Sequence, residues 1–304
     1  MTAIDDFRRA QTRILHRYGV DAESLFPRVA VVNGRAHVLR AGDGPAVVLV
    51  PGFADPAAMW TPLLAQLAGF TVYAVDRPCF GLTDSAEHDT ATIRRLAADF
   101  LSQVLDALGL ARPLVIGNSI GSLWATWLAL DRPDRVAAMV HIGCPALWLG
   151  TSAPLPMRLL SVPSIGRRVM ASPPSPSQVE AFGRLMAGED LSLLPELRDL
   201  LVAAGRLPGA QRATVQVLHA LVRLRGARPE VTVGPEQLQA IRQPVLLVWG
   251  SRDKFGGPDV GREAARVIPD ASLRVVACGG HVPWVGHPAE VAGAAVPFLR
   301  DHAV

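Results

Sequence analysis

Three residues in this chain have the types needed to share one reaction. Ser119 lies in Gly117-Asn118-Ser119-Ile120-Gly121, Asp253 closes Trp249-Gly250-Ser251-Arg252-Asp253, and His281 lies in Cys278-Gly279-Gly280-His281-Val282-Pro283. A serine hydroxyl is a poor nucleophile until a neighbouring base takes its proton, and an imidazole base depends on a carboxylate to fix its tautomer. Alone, each residue has a plainer reading: a turn serine, a loop or helix-capping carboxylate, a loop histidine. Together they follow the expected strands Leu114–Ile116, Val245–Trp249 and Leu273–Ala277, in the chain order serine, acid, histidine. Rivals are few. No carboxylate occurs between Asp134 and Glu180, and His287 beside Pro288 reads as a helix-start residue. Cys144 follows a strand without a histidine motif of its own and reads as a small buried apolar residue.

The surroundings of Ser119 fit the role. Pro113–Leu130 is an apolar run, a G-N-S-I-G interruption and an Ala/Leu/Trp segment with helical spacing. A serine on a tight strand-to-helix turn is held exposed on a strained bend, and the flanking glycines let neighbouring backbones approach. Acyl transfer also needs two N–H groups aimed where negative charge develops. The loop Pro51-Gly52-Phe53-Ala54, directly after the run Ala46–Val50, supplies one, so the N–H groups of Phe53 and of Ile120 are assigned to the oxyanion.

These residues need a scaffold of alternating strands and helices. Asp5–Tyr18 has helical periodicity and reads as an outlying amphipathic helix. Val29–Val32, Asn33-Gly34 and Ala36–Leu39 read as a hairpin with a two-residue turn. Strands are then expected at Ala46–Val50, Thr71–Val75, Val136–Ile142, Val245–Trp249 and Leu273–Ala277, besides the one before Ser119, with helices near Ala57–Leu67, Thr92–Leu108, Val260–Val267 and Pro288–Asp301. Between Cys144 and Gln243 only helical stretches stand out, near Met157–Met170, Gln178–Met186, Leu191–Ala204 and Arg212–Arg225, with a weak strand at Val231–Val233. Strand–helix repeats imply a mostly parallel sheet covered on both faces, and the helical block reads as a cap over the strands' C-terminal edge, where ligands bind in open α/β sheets. The division expected is 1–28 as a helical extension, 29–144 and 241–304 as the α/β core, and 145–240 as the cap.

Composition excludes several classes. Half of the 304 residues are hydrophobic and 19% are charged, so the chain can bury a large core. Its net charge is +3, and the basic residues, all arginine except Lys254, form no stripe suited to nucleic acid. Cys79, Cys144 and Cys278 are far apart and lack metal-ligand spacing, so neither a disulfide framework nor a zinc site is expected and a cytoplasmic setting is the default. The N-terminus carries charges throughout and lacks the apolar core of a signal peptide. Between Arg112 and Asp131 no residue is charged, but the glycine-rich interruption reads as strand plus helix rather than a membrane span.

With those residues in view, the chain resembles the α/β-hydrolase superfamily, in its serine-nucleophile branch with a helical cap. The likeness runs from about Val29 to the C-terminus. Besides the three reactive residues, it rests on Asp76-Arg77-Pro78-Cys79-Phe80-Gly81-Leu82-Thr83-Asp84, on Leu247–Asp253 and on Ile268-Pro269-Asp270-Ala271-Ser272-Leu273. The family's usual His-Gly of the oxyanion loop is Pro51-Gly52 here, Cys79 replaces a common glycine, and Gly286 stands where many relatives place a glutamate. The resemblance implies an eight-stranded sheet and, from the serine, an acyl-enzyme mechanism with ester hydrolysis first. The Gly-Asn-Ser-x-Gly elbow also resembles that of carbon–carbon bond hydrolases acting on dioxo-dienoate ring-cleavage products, although Val282-Pro283 here separate His281 from Trp284. Perhydrolysis, acyl transfer and receptor-like ligand binding share the triad. The substrate expected is small and largely apolar, in a pocket formed by Gly52, Trp148, Met157, Leu160, Leu185, Met186, Leu218 and Val282, with no metal or organic cofactor and with oligomeric state left open, monomer or homodimer.

Overall fold

The computed structural model describes Thr2–Ala303, apart from the side chain of Met186. Its sheet has eight strands: β1 (Ala22–Leu25), β2 (Val38–Ala41), β3 (Ala46–Val50), β4 (Thr71–Val75), β5 (Leu114–Asn118), β6 (Met139–Ile142), β7 (Val245–Gly250) and β8 (Ala271–Val276). Their order is β1-β2-β4-β3-β5-β6-β7-β8, with β2 antiparallel to both its neighbours and every other pairing parallel. Register places Leu49 opposite Ile116, Ile116 opposite Val140 and Val140 opposite Leu246.

Both faces of the central strands are covered, which is why they read as near-continuous apolar runs. Side chains alternate between faces at period two. Val48, Val50, Val115, Met139, Leu247 and Trp249 join one core with helices α2 (Ile93–Ala107) and α3 (Ile120–Asp131). Val47, Leu49, Ile116, Val140, Leu246 and Val248 join the other with α1 (Ala3–Arg17) and the C-terminal helix Pro288–Asp301.

Two differences from the sequence reading lie near the N-terminus. Residues 1–28 are more than a helical extension, because Ala22–Leu25 pairs with Val38–Ala41 and opens the sheet. The Asn33-Gly34 hairpin is not a two-residue turn: Val29 pairs with Gly34 across a 3-10 turn at Ala30–Val32, and Asn33 takes the left-handed conformation at φ 48°. Asn tolerates that region, so the local signal was right in kind but misplaced the loop length.

Between β6 and β7 the chain forms α4 (Leu155–Leu160), α5 (Pro163–Val169), α6 (Pro176–Phe182), a π turn at Gly183–Ala187, α7 (Pro195–Gly205) and α8 (Ala210–Leu221). The block is not wholly helical: the helix expected to Arg225 stops at Leu221, where Val222–Arg223 pairs antiparallel with Gly226–Ala227. The single helix expected over Met157–Met170 is two, because Pro163 disfavours helical geometry at Val162 and then starts the next helix at its first position. In place of a strand, Val231 ends a 3-10 turn at Pro229–Val231, and Val233 forms only an isolated bridge to Trp148. Among the described residues no helix is long and apolar enough to cross a membrane.

Candidate active site

The turn after β5 is strained at one residue. Ser119 has φ 53° and ψ −115°, a conformation that L-residues rarely adopt, that costs on the order of 1–3 kcal/mol and that persists only where its surroundings enforce it. They do so through close packing. A Cβ on Gly121 would lie 2.0 Å from the carbonyl oxygen of Val50, and one on Gly117 would lie 2.7 Å from the backbone of Ser122. Larger residues at either position would push the serine off its bend.

His281 follows β8 and Asp253 follows β7, and the two side chains meet. His281 Nδ1 lies 2.9 Å from Asp253 Oδ2 and 3.0 Å from Oδ1. The carboxylate also accepts the Cys144 N–H at 2.8 Å and the Phe255 N–H at 2.9 Å, so it is fixed from three sides. A carboxylate only accepts, so it holds the proton on Nδ1 and leaves Nε2 as the acceptor. His281 Nε2 is buried and bonds to no described residue. The ring of Phe255 stacks on the imidazole with centroids 4.0 Å apart.

Two side chains that carried no role in the sequence reading tie these strand ends together. Asn118 Nδ2 donates to the carbonyl of Ile142 at 2.7 Å and to that of His281 at 3.0 Å, linking the serine turn to the histidine loop. Arg77, fully buried, donates from Nε to the Pro51 carbonyl at 3.1 Å and from Nη2 to that of Gly52 at 2.5 Å. In a trans peptide the N–H points opposite to the C=O, so the pull on the Gly52 carbonyl turns the Phe53 N–H away from Arg77. Ile120 opens α3, so its N–H is among those with no intrahelical acceptor. The Asp76-Arg77-Pro78 motif was the available signal for Arg77.

Cys144 contributes its backbone. Its thiol is buried, and burial together with the charge of Asp253 pushes it well above the ordinary cysteine value, so it stays a neutral thiol.

Ser119 borders two apolar cavities. The larger, about 360 Å³, is lined by Phe53, Asp55, Met157, Leu160, Phe182, His281 and other residues. The smaller, about 50 Å³, is bounded by Ser119, Ile120, Ala146, Leu218, Leu221 and Val222. Of the expected pocket residues, Met157 lines both, Leu160 and Val282 line the larger, and Leu218 lines the smaller. Trp148 lines neither: its ring is packed edge-on against His141, with centroids 5.0 Å apart, and is wholly buried. Gly52 lies behind the wall, where a Cβ would meet Asn118 Oδ1 at 2.4 Å. Leu185 is 72% exposed on the outside of the cap. The side chain of Met186 lies outside the described residues.

Asp55 is the one unexpected charge in this lining. Burial against the cavity wall raises its carboxyl to about 7, partly opposed by Arg77 and His281. Among the described residues that line either cavity there is no Arg or Lys. No group of three or more His, Cys, Asp or Glu suited to a metal ion occurs among the described residues.

An eight-stranded sheet in this order, with a serine turn after β5, an acid after β7 and a histidine after β8, defines a class, and the chain belongs to it: residues 45–288 match the family described as alpha/beta hydrolase fold, making this a hydrolase of that fold. Among its relatives is the pimeloyl-[acyl-carrier protein] methyl ester esterase of Shewanella sp. (strain MR-7), 29% identical over 87% of this chain and 94% of that protein. Another is the 2-hydroxy-6-oxo-6-phenylhexa-2,4-dienoate hydrolase of Comamonas testosteroni, 27% identical over 87% of this chain and 91% of that one. A structure of similar fold is the carboxylesterase CesB of Bacillus subtilis, with a TM-score of 0.77 and 23% identity over 98% of this chain and 99% of that chain.

Proposed function

We propose that this protein is a serine esterase that cleaves esters of an apolar acyl group with a small alcohol. The observation that carries the reading is the position of Ser119 on the boundary between a 360 Å³ and a 50 Å³ apolar cavity, with His281 in the lining of the larger. The larger space is within the range of ordinary ligand pockets and takes the acyl chain. The smaller has room for only a few heavy atoms and takes the alcohol. The relative from Shewanella is named for a methyl ester, whose alcohol is of that small size.

Ser119 Oγ attacks the ester carbonyl while His281 Nε2 takes its proton, and Asp253 steadies the imidazolium. The N–H groups of Phe53 and Ile120 receive the oxyanion. The alkoxide leaves with the proton returned by His281. Water then adds to the acyl-enzyme by the same route and releases the acid.

Carbon–carbon hydrolysis of a dienoate is less well supported. Such a substrate carries a carboxylate, and among the described residues the cavity lining offers Asp55 and no Arg or Lys. Val282, not Trp284, faces the cavity after the histidine; Trp284 instead stacks on Trp60 with centroids 4.1 Å apart. The test is a panel of methyl and butyl esters of six- to ten-carbon acids beside a dioxo-dienoate, each with Ser119→Ala as control. Turnover of the methyl esters, roughly tenfold ahead of the butyl esters and lost in the variant, is expected. Turnover of the dienoate alone would overturn the proposal.

A further inference from the structure

The loop that carries His281 is held from two directions. From the core, Asn118 Nδ2 holds the His281 carbonyl at 3.0 Å. From the cap, the carbonyl of Ala187 accepts the His281 N–H at 2.6 Å, and Glu189 Oε1 accepts the adjacent Gly280 N–H at 3.0 Å. Two consecutive N–H groups of the histidine loop are thus bound by the cap.

The cap segment that reaches down is shaped for this contact. Helix α6 runs on through the π turn Gly183–Ala187 and reverses at Gly188, whose φ is 76°. Glu189 is fixed by its own N–H, which donates to the Gly183 carbonyl at 3.0 Å. Approach is so close that a Cβ on Gly280 would lie 2.1 Å from the Ala187 carbonyl oxygen. A Cβ on Gly286 would lie 2.7 Å from Glu189 Oε2, with nothing else but the same carboxyl group within 4 Å. The Glu189 side chain is largely buried, and burial raises its carboxyl to about 7 against the opposing pull of the Gly280 N–H. Such a desolvated carboxylate is retained at a cost, and what it contacts is the loop of the base.

We infer that Glu189 is a positioning residue for His281: the cap, besides walling the acyl cavity, clamps the backbone on which the catalytic base sits. The inference rests on the reading of His281 as that base. Removing the carboxylate leaves the Gly280 N–H without its acceptor and lets the imidazole shift relative to Ser119, and misplacement on the order of 1 Å costs about a hundredfold in such reactions. A glutamine keeps an acceptor oxygen and preserves the clamp.

The experiment is a double-mutant cycle between cap and core, read as kcat and KM for p-nitrophenyl acetate and as the rate of labelling by a serine-directed phosphonate. Glu189→Ala is expected to lower both kcat and the labelling rate roughly 10- to 100-fold with KM changed less than about threefold. Glu189→Gln should stay within about threefold of the parent. Gly286→Ala, which displaces the carboxylate from the core side, should slow the parent but have no further effect on the Glu189→Ala protein, because interacting sites are non-additive. Losses that multiply, or Glu189→Ala and Glu189→Gln losing equally, would overturn the inference. If Glu189→Ala does not fold, the rescue by glutamine and the effect of Gly286→Ala alone still decide it. Labelling that persists in Ser119→Ala would instead sink the esterase proposal itself.

Discussion

The strand-end half of the site and the cap half are held together by different forces. At the strand ends, Asp253 accepts two backbone N–H groups besides His281, Asn118 spans two carbonyls, and Arg77 holds two more. Directional bonds of this kind form in one arrangement only, and breaking one leaves a further buried group unpaired at a cost, beside Asn118 Oδ1, Arg77 Nη1 and His281 Nε2, which already lack a partner among the described residues. The cap's wall is made of Met157, Leu160, Val169, Phe182 and Leu201, which pack without directional bonds. Apolar packing of this sort tolerates exchange of volume and shape. The strand-end half is therefore brittle and the cap wall adaptable, and Ala187 and Glu189 are where the adaptable half grips the brittle one.

The largest expected effect belongs to the strand ends. Asp253→Asn preserves shape but offers an amide that can donate to Nδ1, so the proton moves to Nε2 and the base is lost. A fall in kcat of about 10⁴-fold is expected, measured on methyl esters at neutral pH, with the fold retained. A loss of less than tenfold would break the contrast, because the acid would then be no more critical than a pocket residue. The cap side should respond quite differently. Leu218→Ala enlarges the small cavity and should raise the rate on butyl relative to methyl esters by roughly tenfold, while a thermal melt records the loss from the hole left behind. An unchanged ratio would mean that the alcohol does not sit there.

The same contrast explains what was legible in the sequence. Ser119, Asp253 and His281 are marked both by residue type and by place after a strand. The strands before Ser119 and Asp253 read clearly because both their faces are covered, whereas the one before His281 is a partly exposed sheet edge that includes Arg274. The strand Ala22–Leu25 was missed because it is a partly exposed sheet edge with little apolar character. Arg77 was visible only as part of a motif, since burying a guanidinium against two carbonyls leaves no periodic trace. In the cap, Met157 and Trp148 are equally apolar, and only the fold shows that one lines both cavities while the other packs on His141. Glu189 had no signal at all. Its contact depends on the π turn, the left-handed Gly188 and the room left by Gly280 and Gly286, which no local pattern announces.

Asp55 offers the smallest effect and a sharper view of the boundary, because it is a core residue that faces the cap's cavity. Its carboxyl is raised to about 7, against an ordinary value near 4. Between those values the native protein binds a proton that the unfolded chain has released, so Asp55 makes stability fall as pH rises through that window, and the loss is complete above it. Asp55→Asn removes the penalty. The variant should melt several degrees higher than the parent at pH 8, and the gain should fade toward pH 4, where both forms are uncharged at this position. Substrate choice should move in step. Above pH 7 the ionised carboxylate repels an acyl chain that bears its own carboxylate, so Asp55→Asn should improve kcat/KM for a dicarboxylate monomethyl ester relative to an uncharged methyl ester of similar length, by several-fold at low salt. A melting gain without a change in that ratio would place the charge of Asp55 beyond reach of the bound acyl group, and would leave the cavity's selectivity to its apolar wall alone.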